Sequence, residues 1–538
     1  MRILVVGSGF AGSILARVLH AQGHAVTLVD RARHPRFAIG ESSTPLAALA
    51  LERLAARYGL ADLAALAAYG RWLRELPHLR RGLKRGFTFY AHRPGEKWTN
   101  DLDNSRRLLV AASPDDEVAD VHWLRADVDA HLAARAAAEG IEVREETAVA
   151  DLARQGEGWR CALVRAGCRE RLEIDLVLDA SGAGGFLGTA LGLAAAPHPA
   201  MPATWLVGGH FSGVGDFAAA ASERGAELAP GPYPDERAAV HHLLAEGWLY
   251  LLPFDHGVVS AGFVLRHDRT DDELARLAAS HPARAWNALL ASYPSLEEQL
   301  GGARCEVGIF HVTQLQRRWR RAAGTGWAML PFAFCFWSPL FSTGIAWSLV
   351  GVERLARRLE PFASPRAEPA PARLFADYSR RLGEESDHQA ELLAVAYALT
   401  GRAAPFFSWS LLYFAAASFA EAEQRLLEPP AEGWAWGARG FLGARDRVLR
   451  RAVSALAPRA RVLAVGEGDG TAFAAAVRAA IAPRDVAGLT LSGRRNLYAV
   501  EAGSLLAGAA RLGLSRAELE RRLPRLRWAG ALRAPVDG

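Results

Sequence analysis

Three closely spaced glycines near the start of the chain have the spacing of a phosphate-binding turn. Residues 7–12 read Gly-Ser-Gly-Phe-Ala-Gly, after an apolar strand predicted over Ile3–Val6 and before a helix predicted over Ser13–Ala21. Glycines let the backbone approach a pyrophosphate, which binds the N–H groups at the helix start. A second predicted strand, Ala25–Val29, ends in Asp30, an acid placed for ribose hydroxyls. The predicted dinucleotide site comprises Gly7, Ser8, Gly9, Ala11, Gly12, Asp30 and Arg31.

The alternative interpretation of residues 7–12 is a glycine-rich turn that binds no ligand. Position favours FAD over NAD, because a second glycine-rich strand end follows at Asp179–Gly185, as in flavoproteins whose chain returns to the cofactor. The strand leading into it is predicted over Arg171–Asp179. Arg125 opens a helix predicted over Arg125–Gly140 and is a candidate to contact the phosphate or the flavin edge. An ordinary surface arginine is the alternative for Arg125.

The chain carries 63 basic side chains, and only two of them are lysines, Lys84 and Lys97. Lys84 precedes Phe87 and Phe89, and burial beside these rings would favour loss of its proton. Arginine could not replace it, because a guanidinium does not deprotonate in proteins. The alternative is a solvated lysine on a loop, which is our prediction for Lys97.

Four ordered motifs resemble those of flavin-dependent halogenases. Residues 39–45, Ile-Gly-Glu-Ser-Ser-Thr-Pro, resemble the family's IGES-x-x-P stretch, and residues 84–89 resemble the KxGxxF segment that carries the active-site lysine. Residues 248–253 resemble a variant of WxWxIP with Tyr250 as its second aromatic residue. Residues 339–344 are similar to DPLFSxG, with Ser338 in place of the aspartate.

The resemblance continues through residues 409–416 and 481–498, where Asp485 replaces a family asparagine. This tail is similar to that of halogenases acting on phenolic, pyrrolic or carrier-bound substrates, not to that of the tryptophan type. The resemblance implies an α/β fold: an FAD-binding Rossmann-like module of the p-hydroxybenzoate-hydroxylase kind, an antiparallel substrate sheet and a mostly helical C-terminal domain.

The resemblance to flavin-dependent halogenases also implies a reaction. FADH2 from a separate NAD(P)H-dependent flavin reductase reacts with O2 to a C4a-hydroperoxide, which oxidises chloride or bromide to hypohalous acid. A lysine then delivers the halogen to an electron-rich aromatic in secondary-metabolite biosynthesis, such as antibiotic biosynthesis. In this sequence that lysine is Lys84.

Further residues take their roles from the same resemblance. Backbone N–H groups at a helix start favour an anion, so Thr343 and Gly344, at the start of a helix predicted to run to about Leu359, suit the halide. The alternative is a plain N-capped helix that binds no halide. Trp248 and Tyr250 face one side of a predicted strand, and ordinary aromatic core is their alternative. The resemblance also assigns Glu41 and Ile345 to the cofactor. It assigns Pro253, together with Trp248 and Tyr250, to the tunnel on the substrate side.

Two rival functions stay open. The first is a flavin-dependent aromatic hydroxylase that oxidises NAD(P)H directly, which the departures at Ser338 and Tyr250 favour. The second is a flavin-binding accessory protein without turnover. A metal site is not expected, because the neighbouring His241 and His242 have no third ligand at a suitable spacing.

A length of 538 residues predicts several structural units. We predict an FAD-binding module over 1–358, a proline-rich linker over 359–372 and a helical domain over 373–538. Within the module, the FAD part covers about 1–80, 115–190 and 305–358, and the substrate sheet about 81–114 and 191–304. Strands are predicted over 203–212 and 248–265.

Composition limits the partners and the compartment. A net charge of +5 with interleaved acids and bases does not suggest nucleic-acid binding, and the run Arg317–Arg321 is predicted to be a solvated helix face. Four cysteines without a CxxC spacing, and no predicted signal peptide, suggest the cytoplasm. The apolar stretch Phe406–Ala420 is short for a membrane span, so a buried helix is expected.

Overall fold

A computed structural model describes residues 1–363, 372–427 and 439–526. Its first sheet is built on the apolar strand Arg2–Val6, which pairs in parallel with Ala25–Val29 on one side and Leu176–Asp179 on the other. Arg2–Val6 ends at the glycine turn, Ala25–Val29 ends before Asp30, and Leu176–Asp179 ends at the second glycine cluster. These three features lie together because the carboxyl ends of parallel strands meet at one edge of the sheet. The sheet order is Ala323–Gly324, Trp327–Met329, Leu176–Asp179, Arg2–Val6, Ala25–Val29 and Glu142–Arg144.

The strand predicted over Arg171–Asp179 is wrong as a single element. Cys168–Ile174 belongs to an antiparallel sheet with Ala148–Gln155 and Gly158–Arg165. Leu176–Asp179 belongs to the first sheet, which we call the nucleotide sheet. The break falls at Asp175, whose carboxylate accepts hydrogen bonds from the backbone N–H and the guanidinium of Arg2. The predicted helix over Ser13–Ala21 begins three residues earlier, at Phe10.

The second sheet, which was predicted to be the substrate sheet, is mostly antiparallel and has nine strands among the described residues. Its long central strands, Thr204–Ser212, Gly247–Pro253 and Val258–Arg266, confirm the strands predicted at 203–212 and 248–265, the latter as a hairpin. Leu497–Tyr498 adds an edge strand from the C-terminal part of the chain. The sheet order is Arg304–Cys305, Thr204–Ser212, Val258–Arg266, Gly247–Pro253, Ala239–Leu243, Gly86–Ala91, Arg107–Ala111 and Leu497–Tyr498, with Phe310–Val312 also paired to Thr204–Ser212.

Two small antiparallel pairs complete the strands, Arg81–Lys84 with Asp120–Trp123 and Arg317–Arg318 with Cys335–Phe336. The prediction of a solvated helix at Arg317–Arg321 is therefore wrong. Arg317 donates to the carbonyls of Gly182, at 2.9 Å, and Phe332, at 2.7 Å. Its guanidinium thus supports the glycine cluster that follows Asp179.

The helices cover the sheets and build the C-terminal part. Arg125–Ala138 ends two residues before the predicted bound, and Thr343–Leu359 begins and ends where predicted. The α-helices are Phe10–Ala21, Pro45–Tyr58, Ala61–Ala65, Tyr69–Glu75, Arg125–Ala138, Phe186–Ala190, Phe217–Glu223, Asp272–Ser280, Pro282–Ala291, Pro294–Leu300, Pro331–Phe334, Thr343–Leu359, Ala376–Ala398, Ala403–Leu426, Arg447–Ala464, Gly470–Ile481, Ala502–Ala507 and Arg516–Arg522.

The main hydrophobic core is continuous between the nucleotide sheet and the C-terminal helices. Leu4 of the first strand, Leu355 of the helix Thr343–Leu359 and Leu412 of Ala403–Leu426 all belong to it. Most of the predicted proline linker, residues 364–371, lies outside the described residues. The predicted domain boundary therefore stays a prediction.

The predicted buried helix at Phe406–Ala420 is longer than expected, running from Ala403 to Leu426. Its length and mean hydropathy of 1.3 would allow a membrane span, and within the described residues it alone meets both criteria. However, 61% of its most apolar window is buried inside the protein. Trp409 and Tyr413 are 1% and 4% exposed, so packing against the core accounts for its apolar composition.

Candidate functional site

The glycine turn has a geometry that only glycine permits. Gly7 has a φ of +104°, and a Cβ placed there would lie 2.6 Å from the Ala180 carbonyl oxygen. A Cβ on Gly12 would lie 1.9 Å from the Gly7 carbonyl oxygen. The first strand, the helix start and the second glycine cluster therefore meet at van der Waals contact. This brings the two predicted glycine segments to one place.

Asp30 lies beside this turn as predicted and is 8% exposed. Its carboxylate accepts from the backbone N–H of Ser8 at 2.9 Å and from that of Ala32 at 2.9 Å. Burial alone would raise the pKa of Asp30, but these amides and the nearby Arg36 charge hold it below its usual value. Asp30 is thus an anion at neutral pH, ready to accept hydrogen bonds.

Arg36 is a residue that the sequence analysis missed. Its guanidinium lies 3.2 Å from Asp30, and its terminal nitrogen lies 3.7 Å from the position of a Cβ on Gly9. Its Nε is buried and has no hydrogen-bond partner among the described residues. Arg31, which was predicted instead, is exposed. A glycine cradle beside an unsatisfied guanidinium N–H and a carboxylate fits the phosphates and ribose of FAD.

Arg125 borders the same turn from the opposite helix. Its Nη2 lies 3.5 Å from the Cβ position of Gly9, and its Nη1 donates to the carbonyls of Ile39, at 2.9 Å, and Gly40, at 3.2 Å. Its guanidinium also pairs with Asp129 at 2.8 Å. Arg125 therefore joins the glycine turn to the segment at residues 39–45 and is not a solvated surface arginine.

Glu41 is 2% exposed and has a partner that the sequence did not suggest. Its Oε1 lies 2.9 Å from Nε2 of His210, on the strand Thr204–Ser212. Its charge also acts on Tyr250, whose pKa is raised first by burial and then by Glu41. Glu41 thus connects the predicted cofactor segment to the predicted tunnel residue Tyr250.

The helix predicted to hold the halide has an unusual start. Ser342 adopts left-handed φ and ψ angles of 52° and 33°, and its side chain makes no capping hydrogen bond. Thr343 and Gly344 form the first turn, and Ile345 is 3% exposed. A Cβ on Gly344 would lie 3.1 Å from the Phe332 ring. The alternative of a helix capped by the Ser342 side chain is therefore wrong.

Ser338 belongs to a buried hydrogen-bond network. Its Oγ lies 2.8 Å from the hydroxyl of Tyr397, which accepts a bond of 3.1 Å from Nε1 of Trp248. Burial raises the pKa of Tyr397 to about 12, so this hydroxyl is neutral. Tyr397, on a C-terminal helix, thereby connects two of the motifs that carry the resemblance. No sequence signal marked it.

Lys84 is completely buried, at 0% exposure. Its Nζ donates to the Ser43 carbonyl at 2.6 Å and lies 4.1 Å from the Phe87 ring centroid. Lys97, in contrast, pairs with Glu298 at 3.1 Å and keeps 56% of its side chain exposed, which confirms that it is a surface residue. The alternative of a solvated loop lysine is wrong for Lys84.

Aromatic rings connect Lys84 to the predicted tunnel residues. The imidazole of His241 stacks on Phe89 at 4.7 Å and on Trp248 at 5.1 Å, and Trp248 lies 6.0 Å from Tyr250. The Phe87 ring, beside Lys84, lies 5.8 Å from His241. We call Phe87, Phe89, His241, Trp248 and Tyr250 the ring row.

Burial, with a smaller contribution from the Lys84 charge, lowers the pKa of His241 to about 3. The imidazole is thus neutral and acts as an aromatic member of the ring row. Pro253, predicted for the same passage, instead borders a separate polar pocket of about 250 Å³ with Leu83 and Asp255.

A cavity of about 110 Å³ adjoins the Phe87 ring. Its wall is mainly apolar and also includes Tyr413, Tyr498, Glu421 and Glu501. Phe341, of the predicted halide segment, stacks on Tyr413 at 4.5 Å, and Tyr413 lies 6.2 Å from Phe87. The halide segment, the cavity and Lys84 therefore share one set of aromatic contacts.

Comparison with known proteins places this chain in a family. Residues 2–321 match the FAD dependent oxidoreductase family, so the chain belongs to that family. It is 27% identical over 364 residues to tetracycline 7-halogenase of Kitasatospora aureofaciens, covering 66% of this chain and 63% of that protein. It is 26% identical to monodechloroaminopyrrolnitrin halogenase PrnC of Pseudomonas fluorescens, covering 66% and 61%. The alignments thus span less than two thirds of each relative.

Among solved structures, halogenase PltM in complex with phloroglucinol and FAD superposes with a TM-score of 0.79 at 21% identity. The match covers 92% of this chain and 98% of that one. The predicted resemblance to flavin-dependent halogenases and the predicted α/β FAD-binding fold are confirmed. FAD as the cofactor is supported by the family.

Proposed function

We propose that this protein is a flavin-dependent halogenase that chlorinates or brominates an electron-rich aromatic compound, such as a phenol or a pyrrole. The observation that carries the proposal is the fully buried Lys84 beside an aromatic-lined cavity. A fully buried lysine is unusual in any protein, and this chain has only two lysines among its 63 basic side chains. Of the proposed site residues, Lys84 is the one expected to meet the oxidant and the substrate.

The flavin site would supply the oxidising equivalent: reduced FAD bound there would, with O2 and halide, supply hypohalous acid. The chain's own residues would hold it: the glycine turn and Arg36 suit the phosphates, and Asp30 suits the ribose. The backbone N–H groups of Thr343 and Gly344 suit the halide. These assignments rest on the helix start and on the fit of donors and acceptors.

The ring row separates the two ends of the site. Trp248 and Tyr250 are 1% and 7% exposed, and His241 is 2% exposed. A dry, apolar passage protects a reactive oxidant from water and from side reactions. Lys84, beyond the passage, would hold hypohalous acid by a hydrogen bond from Nζ or by forming a chloramine.

The size of the cavity supports a small substrate. A cavity of roughly 150 Å³ with an apolar lining accommodates benzene, and this cavity measures about 110 Å³. Because this cavity is smaller than that benzene cavity, we expect it to accept at most a single aromatic ring beside Phe87. The Tyr413 hydroxyl donates to the Phe341 carbonyl at 2.8 Å, so towards a phenolic or pyrrolic group it can act as an acceptor. A fused tetracycle would require the cavity to open.

The test is a reconstituted reaction. The purified protein is incubated with FAD, a flavin reductase, NADH, chloride or bromide, and a panel of resorcinol, pyrrole, naphthol and a tetracyclic phenol. We expect halogenated products from the single-ring compounds, detected by the isotope pattern in mass spectra. Hydroxylated product with no halogenated product from any of these compounds would contradict the proposal.

A hydroxylase is the second candidate, favoured by Ser338 and Tyr250. Ser338 leaves the segment before the halide helix uncharged and bonded to Tyr397. A hydroxylase of this kind would oxidise NADH without the reductase. Omitting the reductase therefore separates the two: we expect NADH consumption to stop.

A further inference from the structure

Lys84 faces an acidic residue across a short antiparallel ladder. The strands Arg81–Lys84 and Asp120–Trp123 pair so that Lys84 lies directly opposite Asp120. Side chains directly opposite each other in such a pair project from the same face, with Cβ atoms roughly 4.5–5.5 Å apart. Both residues are 0% exposed. The Lys84 amine and the Asp120 carboxyl group are thus placed on one face of the ladder, away from water.

We propose that Asp120 is the counter-ion of Lys84 and keeps it protonated, so that Lys84 assists halogenation as a hydrogen-bond donor and not as an N-halogenated amine. This inference rests on the proposed function and deepens it. Asp120 is then a positioning residue, since it acts on the reaction through Lys84.

The other described groups that contact or act on Lys84 are uncharged. The Ser43 carbonyl accepts from Nζ at 2.6 Å, and the Phe87 ring lies 4.1 Å away in a cation–π geometry. Both contacts favour an ammonium ion. Burial, with a smaller contribution from the Lys84 charge, lowers the pKa values of His122 and His241 to about 3, so neither imidazole carries a charge at neutral pH.

Asp120 also acts on the cavity. Burial raises the pKa of Tyr413, and the negative charge of Asp120 raises it further. Tyr413 lines the cavity beside Phe87. The carboxylate therefore lies within electrostatic reach of both Lys84 and the proposed substrate site. A buried ion pair costs less than either charge alone, because each compensates the desolvation of the other.

The chemistry balances with hypohalous acid as the oxidant. Lys84 Nζ–H donates to the oxygen of the acid, and a ring carbon attacks the halogen with a π electron pair. The halogen–oxygen bond breaks, and its electron pair stays on oxygen, which takes a proton from Nζ and leaves as water. The ring then loses its proton to the neutral Nζ, which restores aromaticity and the ammonium beside Asp120. The net change is ArH + HOX → ArX + H2O.

The small number of lysines makes a direct test practical. The apoprotein is pulse-labelled with an amine-reactive acetylating reagent over a series of pH values, and mass spectrometry compares Lys84 with Lys97 in the same sample. We expect the titration midpoint of Lys84 to fall by roughly 1–3 pH units in Asp120→Asn, the range produced by a neighbouring opposite charge. Asp120→Glu should restore it. Asp116→Asn, an acid that pairs with Arg85 and Arg237, should leave it unchanged.

A stability cycle covers the case in which the buried amine does not react or the variant folds poorly. Thermal unfolding is compared for wild type, Asp120→Asn, Lys84→Met and the double variant. We expect Asp120→Asn to lower the melting temperature much more in the presence of Lys84 than in the Lys84→Met background. An equal loss in both backgrounds, or an unchanged titration midpoint, would overturn the ion pair.

Activity separates this inference from the proposed function. With reductase, halide and resorcinol, Asp120→Asn should make less halogenated product while retaining FAD affinity, and Asp120→Glu should recover part of it. If the wild type makes no halogenated product but the titration shift is found, the proposed function fails and the ion pair stands. If Asp120→Asn halogenates like wild type, the role of the pair in the reaction is wrong.

Discussion

The glycine turn and the surroundings of Lys84 differ in which atoms do the binding. At the turn, the main features are backbone N–H groups and the absence of side chains, as at Gly7 and Gly12. Around Lys84, the features are side chains from separate segments, including Asp120, His241 and Tyr413. A site made of backbone tolerates many side-chain changes but no added Cβ, whereas a site made of side chains depends on single functional groups.

The largest expected effect is at Lys84. Lys84→Met keeps most of the side-chain volume but removes the amine, so we expect halogenated product to fall by roughly 10²–10⁴-fold, the usual contribution of a proton-transfer group. FAD affinity should stay unchanged, because Lys84 is separate from the glycine turn. Lys97→Met is the matched control and should behave as wild type. Product formed at the wild-type rate by Lys84→Met would remove the proposed role of Lys84.

The converse change adds a single methyl group at the turn. In Gly12→Ala, the new Cβ would lie 1.9 Å from the Gly7 carbonyl oxygen, so the turn must shift. Overpacking of this kind costs roughly 1–3 kcal/mol, which predicts a loss of FAD affinity of about tenfold to a hundredfold. Flavin fluorescence titration measures it. Gly470→Ala, where a Cβ meets nothing within 4 Å, should bind FAD normally. Unchanged affinity in Gly12→Ala would contradict a backbone-built site.

The buried ion pair between Glu385 and Arg354 tests whether the C-terminal helices stabilise the helix Thr343–Leu359, whose start is the proposed halide site. Glu385 accepts from Arg354, of the helix Thr343–Leu359, at 2.8 Å and from Nε1 of Trp347 at 2.8 Å. Breaking such a pair leaves an uncompensated buried charge, so Glu385→Gln should lower the free energy of unfolding by roughly 3–5 kcal/mol. Glu384→Gln, with a side chain 36% exposed, should cost about 0–1 kcal/mol.

The same pair predicts a pH dependence. Burial alone would raise the pKa of Glu385, but Arg354 holds it below its usual value of 4.5. A depressed carboxyl pKa contributes stability that is present above the unfolded value and is lost as the pH falls through the folded value. Denaturant unfolding should therefore show wild type losing its advantage over Glu385→Gln below about pH 4.5. A difference independent of pH would rule out this charge interaction.

How far the sequence predicts the molecule follows from the same comparison. The glycine turn and Asp30 are close in sequence, so spacing alone placed them correctly. Lys84 was found because lysine is rare in this chain and because the surrounding residues match a known pattern. The partners of these residues could not be predicted, because Asp120, His210 and Tyr397 are brought in by long-range pairing of strands and helices.

Arg36 and Arg317 show the same limit from another side. In a chain with so many arginines, nothing in composition marks the two that reach the glycine segments. Arg31, which directly follows Asp30, was predicted for the cofactor but is exposed, whereas Arg36 reaches back to the Asp30 carboxylate. Arginine runs indicate exposed faces only on average, and Arg317 has carbonyl partners on the second glycine cluster.

The loss of a single hydroxyl tests the link between the two regions. Tyr397→Phe removes the hydroxyl that joins Ser338 to Nε1 of Trp248, leaving both buried groups without that partner. We expect a loss of about 1–3 kcal/mol in the free energy of unfolding. Tyr378→Phe, on the same helix, removes a comparable buried bond to the Met329 carbonyl, 2.7 Å long, and should cost about the same stability.

The two variants should differ in function. If Tyr397 holds Trp248 and the halide segment in register, Tyr397→Phe should lower product yield and release more free hypohalous acid, detected with a soluble trap such as monochlorodimedone. Tyr378→Phe should do neither, because its hydroxyl bonds the nucleotide sheet strand Trp327–Met329, not the ring row. Equal yields and equal leakage from both variants would show that the hydroxyl of Tyr397 supports only the fold, and that the passage is kept closed by the packing of Trp248 and His241 alone.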